Sequence, residues 1–480
     1  SVTSGTVFTF AGTTMEAADV PSGAKIYMPV NLVNGETLTL AAGRNVDAIA
    51  TAFDAAVQDT ALIDYSVANA AGTHTVTATA KSTATIATEL SATTNEAAGL
   101  AKAFDAITDT STDVAAETAL YNAMTANAGF SATEDTALAK QVAPQADLIS
   151  GSTAASQAVT GAVQGIMSNR MASLRSGDAY FGTGMAAGGL SAQSGFIQVF
   201  GSTTDQKSTT VGSGTQAGYD ADTTGYAIGF DGITDAGITV GVSFSVSETD
   251  VDGKGTGRAS NSIDSYTASL YMDKATDSGY VEGSVTYGIS EMESNRKITS
   301  AGLNRSYTAD YDADQISFNI GAGSPQSVGA GYITPFGSLS GAFINTDAYT
   351  EKSTVANDAL RLKVTQDDVS SMVGSVGLKF HAEMDNGGTP MISLAVNNEF
   401  GDATIDSTNH FQGGGTPFKT STAVEELSAT LGLGYSYGSD AASIEIAYEA
   451  DANDDDYLSH YGSIKPVSYT HLTLPTRAVV

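Results

Sequence analysis

The chain has no cysteine and no tryptophan, only 9 prolines, and 21 Lys+Arg against 53 Asp+Glu in 480 residues. Each shortage excludes something. Without cysteine there is no disulfide framework and no thiolate metal site, an absence that also suits a chain exported unfolded. The few basic residues are scattered among acids, with a net charge of −32, so there is no patch for nucleic acid. Charged residues are 15% of the chain, well below the roughly 25% of average soluble domains. No apolar run approaches the ~18–20 residues of a membrane-spanning helix. His74, His381, His410, His460 and His471 never fall at metal-motif spacing. Asp451–Asp456 opens like a calcium loop, but Asp456 and Gly462 stand where Gly and Glu are required, so a solvated turn is the better reading. No nucleophile elbow and no phosphate loop with its lysine is found. Nothing in the sequence points to an enzyme, a metal or a cofactor.

What is present is small and apolar. There are 51 glycines, abundant Ser, Thr and Ala, and 41% hydrophobic residues in regular spacing, too many for simple disorder. Residues 1–95 alternate apolar with small polar side chains, as at Thr6–Phe10, Glu36–Leu40 and Thr73–Ala80, with turns at Asn34-Gly35 and Ala71-Gly72. They read as β-rich, either solenoid-like or a small sandwich. Residues 96–150 shift to helical spacing over Glu96–Ile107 and Thr112–Asn127, punctuated by Pro144 and Gly151. The first residue is Ser1 and no signal segment follows it, so the chain is expected to be a fragment of an exported protein. Pro466–Val480 contains no acid and is expected to be a non-native tail.

Residues 153–175 form a strong helix pattern. Ser152 or Thr153 can cap it, and Val159, Val163, Ile166, Met167, Met171 and Leu174 share a face. Twenty-two residues rise about 33 Å, close to a bilayer core of roughly 30 Å. Yet Ser156, Gln157, Thr160, Gln164, Ser168, Asn169 and Arg170 forbid lipid contact. Such a helix fits inside a pore; an amphipathic helix on a soluble domain is the alternative. Residues 176–193 are a Gly/Ala/Ser linker whose Gly182 and Gly184 lack the strand and lysine of a nucleotide site.

Residues 194–465 divide into twelve strands near 194–203, 222–231, 236–248, 262–273, 278–290, 307–322, 329–345, 366–381, 389–402, 422–437, 441–451 and 456–465. Many alternate strictly. Val240, Val242, Phe244, Leu394, Leu431 and Leu433 fall on one phase; Thr239, Ser243, Glu282, Thr430, Gly432 and Glu445 fall on the other. In a soluble sandwich the apolar phase is the core; in a membrane barrel it faces lipid and the polar phase lines the lumen. Strand lengths of ~9–11 residues suit a tilted crossing. The strand number is even, aromatics such as Phe230, Tyr287, Phe380 and Tyr435 recur near strand ends, and short turns alternate with long polar loops. The fold class is therefore mainly β: a 12-stranded antiparallel transmembrane β-barrel with a pore α-helix, preceded by a β-solenoid-like remnant and short helices. Val159, Val163, Ile166, Met167, Arg170 and Leu174 are the expected pore-helix contacts. Glu282 and Glu445 are candidate partners for Arg170, and Arg175 is expected to reach water.

Several segments, taken in order, resemble the translocator barrels of bacterial autotransporters, the type V secretion family. SGFIQVFG at 194–201 resembles the opening strand, with Phe196 or Ile197 where Trp is usual. Tyr219–Asp231 resembles the second strand, Tyr332–Gly337 the aromatic-flanked Thr-Pro strand, and Tyr448–Ile464 the last hairpin. AASQAVTGAVQGIMSNRMASLR at 154–175 is similar to the pore helix, and TNEAAGLAKAFDAI at 94–107 to the passenger end. The final aromatic of the family is missing before Pro466, and Asn169-Arg170 replaces the Asn-Asn pair of self-cleaving members. The resemblance implies an outer-membrane protein of Gram-negative bacteria that exports or displays its own N-terminal passenger. Its implied partners are outer-membrane lipid, the barrel assembly machinery, periplasmic chaperones and the passenger chain in the pore. A plain outer-membrane pore, or a secreted structural β-protein or adhesin, is the rival reading.

Overall fold

The computed structural model describes residues 7–9, 25–28, 32, 34–41, 53–70, 73–109, 113, 115, 116, 120, 132–143, 146–175 and 190–468, except 258, 301, 383, 386, 425, 440, 441 and 455. Most of the 176–193 linker, the tail from 469 onward and most of the Thr112–Asn127 helix pattern lie outside the described residues.

Twelve long strands close into one antiparallel ring. They are β1 (Leu190–Gln206), β2 (Tyr219–Thr234), β3 (Thr239–Gly253), β4 (Ser260–Thr276), β5 (Gly279–Ile298), β6 (Arg305–Gly323), β7 (Gly331–Thr346), β8 (Val369–Ala382), β9 (Gly388–Glu399), β10 (Leu427–Ser439), β11 (Ala442–Asn453) and β12 (Tyr457–Ser468). Each pairs with its neighbours in sequence, and β12 pairs with β1, so no edge is left. The β12–β1 seam is the shortest pairing in the ring, with eight residues of Tyr457–Ile464 set against Gln206–Val199. Strand β12 does not stop at Pro466: it runs to Ser468 along β11, where Pro466 lies opposite Ile444.

The connections sort by end. At one end they are short, 235–238, 277–278, 324–330, 383–387 and 440–441. At the other, 347–368 and 400–426 are long enough to build a four-stranded sheet of their own from Tyr349–Thr350, Leu362–Gln366, Thr404–Phe411 and Phe418–Ala423. Two loops expected from polarity, Thr249–Asn261 and Glu291–Tyr307, are largely strand instead. There the two-residue alternation continues, with Glu291, Glu293 and Asn295 facing out and Met292, Ser294 and Arg296 facing in. The outward apolar residue has become an acid at 291 and 293 and an amide at 295.

Upstream, Val7–Thr9 and Lys25–Tyr27 form a short parallel pair, and Thr37–Ala41, Ile63–Ala70 and Thr73–Ala80 form an antiparallel sheet rather than stacked parallel rungs. Helices α1 (Thr83–Leu90), α2 (Thr94–Asp109) and α3 (Ala132–Val142) follow and cover the long-loop end. Ser82 caps α1, and Thr93 and Glu96 bond reciprocally as a capping box on α2.

Close approach fixes several glycines. Phe196 and Phe200 of β1 lie inward over Gly229 and Gly225 of β2, their register partners. A Cβ at either glycine would meet the ring at 2.3 Å. The rings thereby fill the space a side chain would take and fasten the strand next to the seam. Gly225→Val should expel Phe200 and cost about 1–3 kcal/mol, the usual range for overpacking. The temperature at which the barrel loses its compact migration on gels should fall; an unchanged transition would show that the ring and glycine are not coupled.

Candidate functional site: the barrel lumen and its helix

Helix α4 (Ala146–Arg175) occupies the lumen. Its 30 residues extend about 45 Å at 1.5 Å each. It starts seven residues before the expected 153, because Gly151 does not end it. A Cβ there would meet Val251 at 2.6 Å and Tyr219 at 3.0 Å, so this glycine serves a tight crossing at the mouth. The N-terminal turns lie at the long-loop end, where Ile149 packs on Ile344, Val369 and Ile405. The C-terminus lies at the short-turn end, beside Asp273 and Tyr280.

The helix leans on one half of the wall. Val159, Val163, Ile166, Met167, Arg170, Met171 and Leu174 are all buried. Ile166, Met167, Met171 and Leu174 pack on Phe196, Phe200, Ala227 and Tyr271, while Ala155 meets Tyr219, Val251, Ile263 and Met292. The wall can come this close because its inward residues are small. Their hydroxyls bond across strands, Ser245 to Thr267 at 2.6 Å, Ser265 to Ser290 at 2.9 Å and Ser269 to Thr286 at 2.8 Å. These pairs satisfy the hydroxyls they join beneath the helix.

Charge locks the contact. Arg170, 0% exposed, grips Asp231 with two bonds of 2.7 and 3.0 Å. Tyr271 donates to the same carboxylate at 2.8 Å, and Arg170 stacks over Phe196 at 5.4 Å. The expected partners of Arg170 are elsewhere. Glu282 accepts from Ser168 at 2.6 Å and from Arg175 at 2.9 Å. Glu445 faces Lys465 at 2.7 Å, an approach off the hydrogen-bond direction. Arg175, expected to reach water, is largely covered instead, with 15% of its side chain exposed: it bonds Asp273 and Glu282 and lies 3.6 Å over the Tyr280 ring. Asp231 and Asp273 were missed because both sit next to turns. The alternation Tyr226, Ile228, Phe230 already placed Asp231 on the inward phase.

The opposite half of the lumen is open. A cavity of about 650 Å³ lies between the helix face Gln157, Gly161, Gly165 and the wall residues Asn397, Asp451 and Tyr461. A Cβ at Gly161 or Gly165 would meet nothing within 4 Å. Of the inward set, Thr239, Ser243 and Glu282 are buried on the helix side, and Ser243 contacts Met167 Sδ at 3.3 Å. Thr430, Gly432 and Glu445 lie inward in the other half, with Asn397 donating to Thr430 at 2.8 Å. Of the apolar set, Val242, Phe244, Leu394, Leu431 and Leu433 are exposed on the outer wall, and Val240 beside them is half-buried. Among the described residues no acid and histidine cluster could hold a metal.

The family model of the autotransporter beta-domain matches residues 195–449. The translocator domain of the autotransporter NalP from Neisseria meningitidis is similar in fold, at 16% identity and a TM-score of 0.51, over 66% of this chain and 98% of that one. The beta domain of the Bordetella autotransporter BrkA matches at 17% identity and a TM-score of 0.39, over 58% and 100%. The transport unit of AIDA-I from Escherichia coli matches at 9% and 0.39, over 58% and 90%. No curated protein sequence matches. The β-domain is a transport domain, set in the outer membrane and traversed by its own polypeptide. The family match spans more than half of the chain, which belongs to the autotransporters, and its barrel is the outer-membrane translocator of its own N-terminal passenger.

Proposed function

We propose that the passenger leaves through the lumen that now holds α4, and that this helix is the trailing part of the exported chain, retained as a partial plug. One observation carries this reading. Strand β1 enters the barrel at the short-turn end, while α4, directly upstream, reaches the long-loop end with the rest of the passenger beyond it. The polypeptide threads its own barrel. Short turns belong to the periplasmic side of outer-membrane barrels and long loops to the outside. With no phosphate loop in the sequence, folding of the passenger outside supplies the drive. The barrel assembly machinery and periplasmic chaperones are the proposed helpers of insertion.

The apolar phase meets lipid in this reading. Leu394 is 58% and Val376 67% exposed to the exterior, and an outer wall of such residues is unstable in water. The band has an upper limit. Glu248, Asp264, Glu291 and Asp312 are cross-strand neighbours at one level of β3–β6, directly above Val246, Tyr266 and Ile289. Like charges set opposite one another repel, and only water screens them cheaply, so this row lies above the hydrocarbon. The domain limits follow the same logic: passenger end up to 143, plug helix 146–175, barrel from 190.

Two measurements test these roles. Leu431→Arg should cost ~2–4 kcal/mol of insertion stability, against far less for Thr430→Arg beside the open cavity. Urea titration of the barrel folded in liposomes reads the difference, and equal costs would defeat the assignment of faces. Arg170→Ala leaves Asp231 buried without its cation, a loss of about 3–5 kcal/mol for such pairs. Its single-channel conductance in planar bilayers should rise toward that of a chain lacking 154–175. If the parent, the variant and the deletion all conduct alike, the helix is no plug.

A further inference from the structure

The segment upstream of α4 and the long loops of the barrel do not have separate cores. Ile86, Leu100, Phe104 and Leu138 from the helices share one buried cluster with Ile298 at the end of β5 and with Leu303, Leu360, Leu362, Phe411 and Phe418 from the β5–β6, β7–β8 and β9–β10 connections. Helices α1, α2 and α3 have 8, 16 and 11 residues. Isolated helices below ~12–15 residues are marginal in water, and here they share their core with the barrel loops as well as with Ile26, Met28, Leu38 and Val76 of the upstream sheet region.

The polar contacts are divided in the same way. Arg305, at the top of β6, bonds Asp113 of the upstream segment at 2.5 and 2.7 Å and Asp358 of the β7–β8 loop at 2.5 Å. The Ala359 N–H donates to Asp113 at 3.2 Å. Arg296, from β5, is held by Glu351 at 2.7 Å and donates to the carbonyls of Gln141 and Val142 at 3.0 and 3.3 Å. These carbonyls end α3, where the helix has no partners of its own, so the barrel supplies its C-terminal cap. In return the Gln141 side chain accepts from the Thr299 and Ser300 N–H groups at 2.7 and 3.1 Å. Both arginines and Asp113 are buried. Gly214 of the β1–β2 loop and Gly415 of the β9–β10 loop come so close to Ala92–Thr93 and to Ala106 that a Cβ would fall 2.3 Å and 3.3 Å from the backbone there.

We propose that the extracellular loops of the barrel are a folding template for helices α1, α2 and α3 and for Asp113: these fold only on this platform, through Arg296 and Arg305, and the docked cap then blocks the segment's return into the pore. This rests on the export reading above, which places the segment outside. The loop platform adds Leu303, Leu360, Leu362, Phe411 and Phe418 to the shared core and offers the guanidinium groups that Asp113 and the end of α3 need. Inside the lumen neither is present, so the stabilisation appears only after exit. Export thereby gains a direction at its last step from the barrel itself, whatever the passenger further upstream does.

The absence of cysteine makes a test simple in the whole chain on intact cells. Leu100→Cys reports opening of the shared core, and Ala84→Cys, on the exposed side of α1, reports location, both read with a membrane-impermeant maleimide. Ala84→Cys should label on intact cells. Leu100→Cys should label slowly, and about tenfold or more faster when Arg296→Met and Arg305→Met are added, since labelling tracks the open population. Leu362→Asp, a second route to the same loss from the barrel side, should do likewise, with heat-modifiable migration retained in both. Unchanged Leu100→Cys labelling in the arginine variant and in Leu362→Asp overturns the template. Ala84→Cys labelling only after lysis overturns the export reading, and the template with it.

Discussion

In hydrocarbon a strand can send its N–H and C=O groups only to another strand. Everything else in the barrel depends on that demand. It requires a closed ring, met here by twelve antiparallel strands with β12 returned to β1. It also makes the seam a weak point, because the eight-residue pairing there must complete the circuit. Phe196 and Phe200, laid over Gly229 and Gly225, add side-chain packing where the ladder beside the seam needs it. Closure in turn inverts the usual distribution of polarity. The apolar residues go outside, and the inside must be made of groups that satisfy one another.

How the inside is filled follows from size. Serine and threonine pairs bonded across strands keep the wall low on the β2–β5 side, and an α-helix can lie against it. The same helix turns glycine and glutamine toward the remaining space. The result is a helix attached on one face only. Its attachment is specific rather than greasy: two arginines, one turn and a half apart, each find carboxylates on the wall. Burying a guanidinium costs several kcal/mol in desolvation, which a bidentate partner and an aromatic face offset. Such pairs add little to overall stability, yet they select one axial position of the helix, since a shift by one turn would strand both charges.

The barrel was legible from residue order because its governing signal is local. A period of two, repeated over ten residues and broken by Gly and Asp, needs no tertiary knowledge. The phase of Val242, Phe244, Leu431 and Leu433 could be read in this way, and so could the apolar face of α4. Local signals failed wherever the reason lay across the fold. Gly151 looks like a stop, but it is a contact with Val251 and Tyr219. Asp231 looks like the plain end of a strand, but it holds Arg170. Glu291 and Glu293 look like a loop, but they keep the strand period with acids in place of apolar residues. The polar loops 347–368 and 400–426 conceal Leu362, Phe411 and Phe418, which share a core with Ile86, Leu100, Phe104 and Leu138 far upstream.

The acidic character of the chain also has a structural logic. Inside the lumen, Asp231, Asp273, Glu282 and Glu445 meet arginine or lysine, and Asp451 on the cavity side accepts from Ser428 and Thr430. The carboxylates on the outer wall above the apolar band, Glu248, Asp264, Glu291 and Asp312, meet each other across the strands. Repulsion between them is tolerable in water and becomes prohibitive in hydrocarbon, so the row opposes any deeper seating of the barrel. Below it, Tyr226, Tyr266 and Tyr287 place amphipathic rings on the same wall, where aromatic residues favour the boundary between lipid and water. Acid above and aromatic below act in opposite directions along the barrel axis, one resisting descent and the other resisting withdrawal. The depth of the barrel, and with it the height at which Arg296 and Arg305 meet the emerging chain, is therefore set by side chains on the outer wall that touch neither the helix nor the cap.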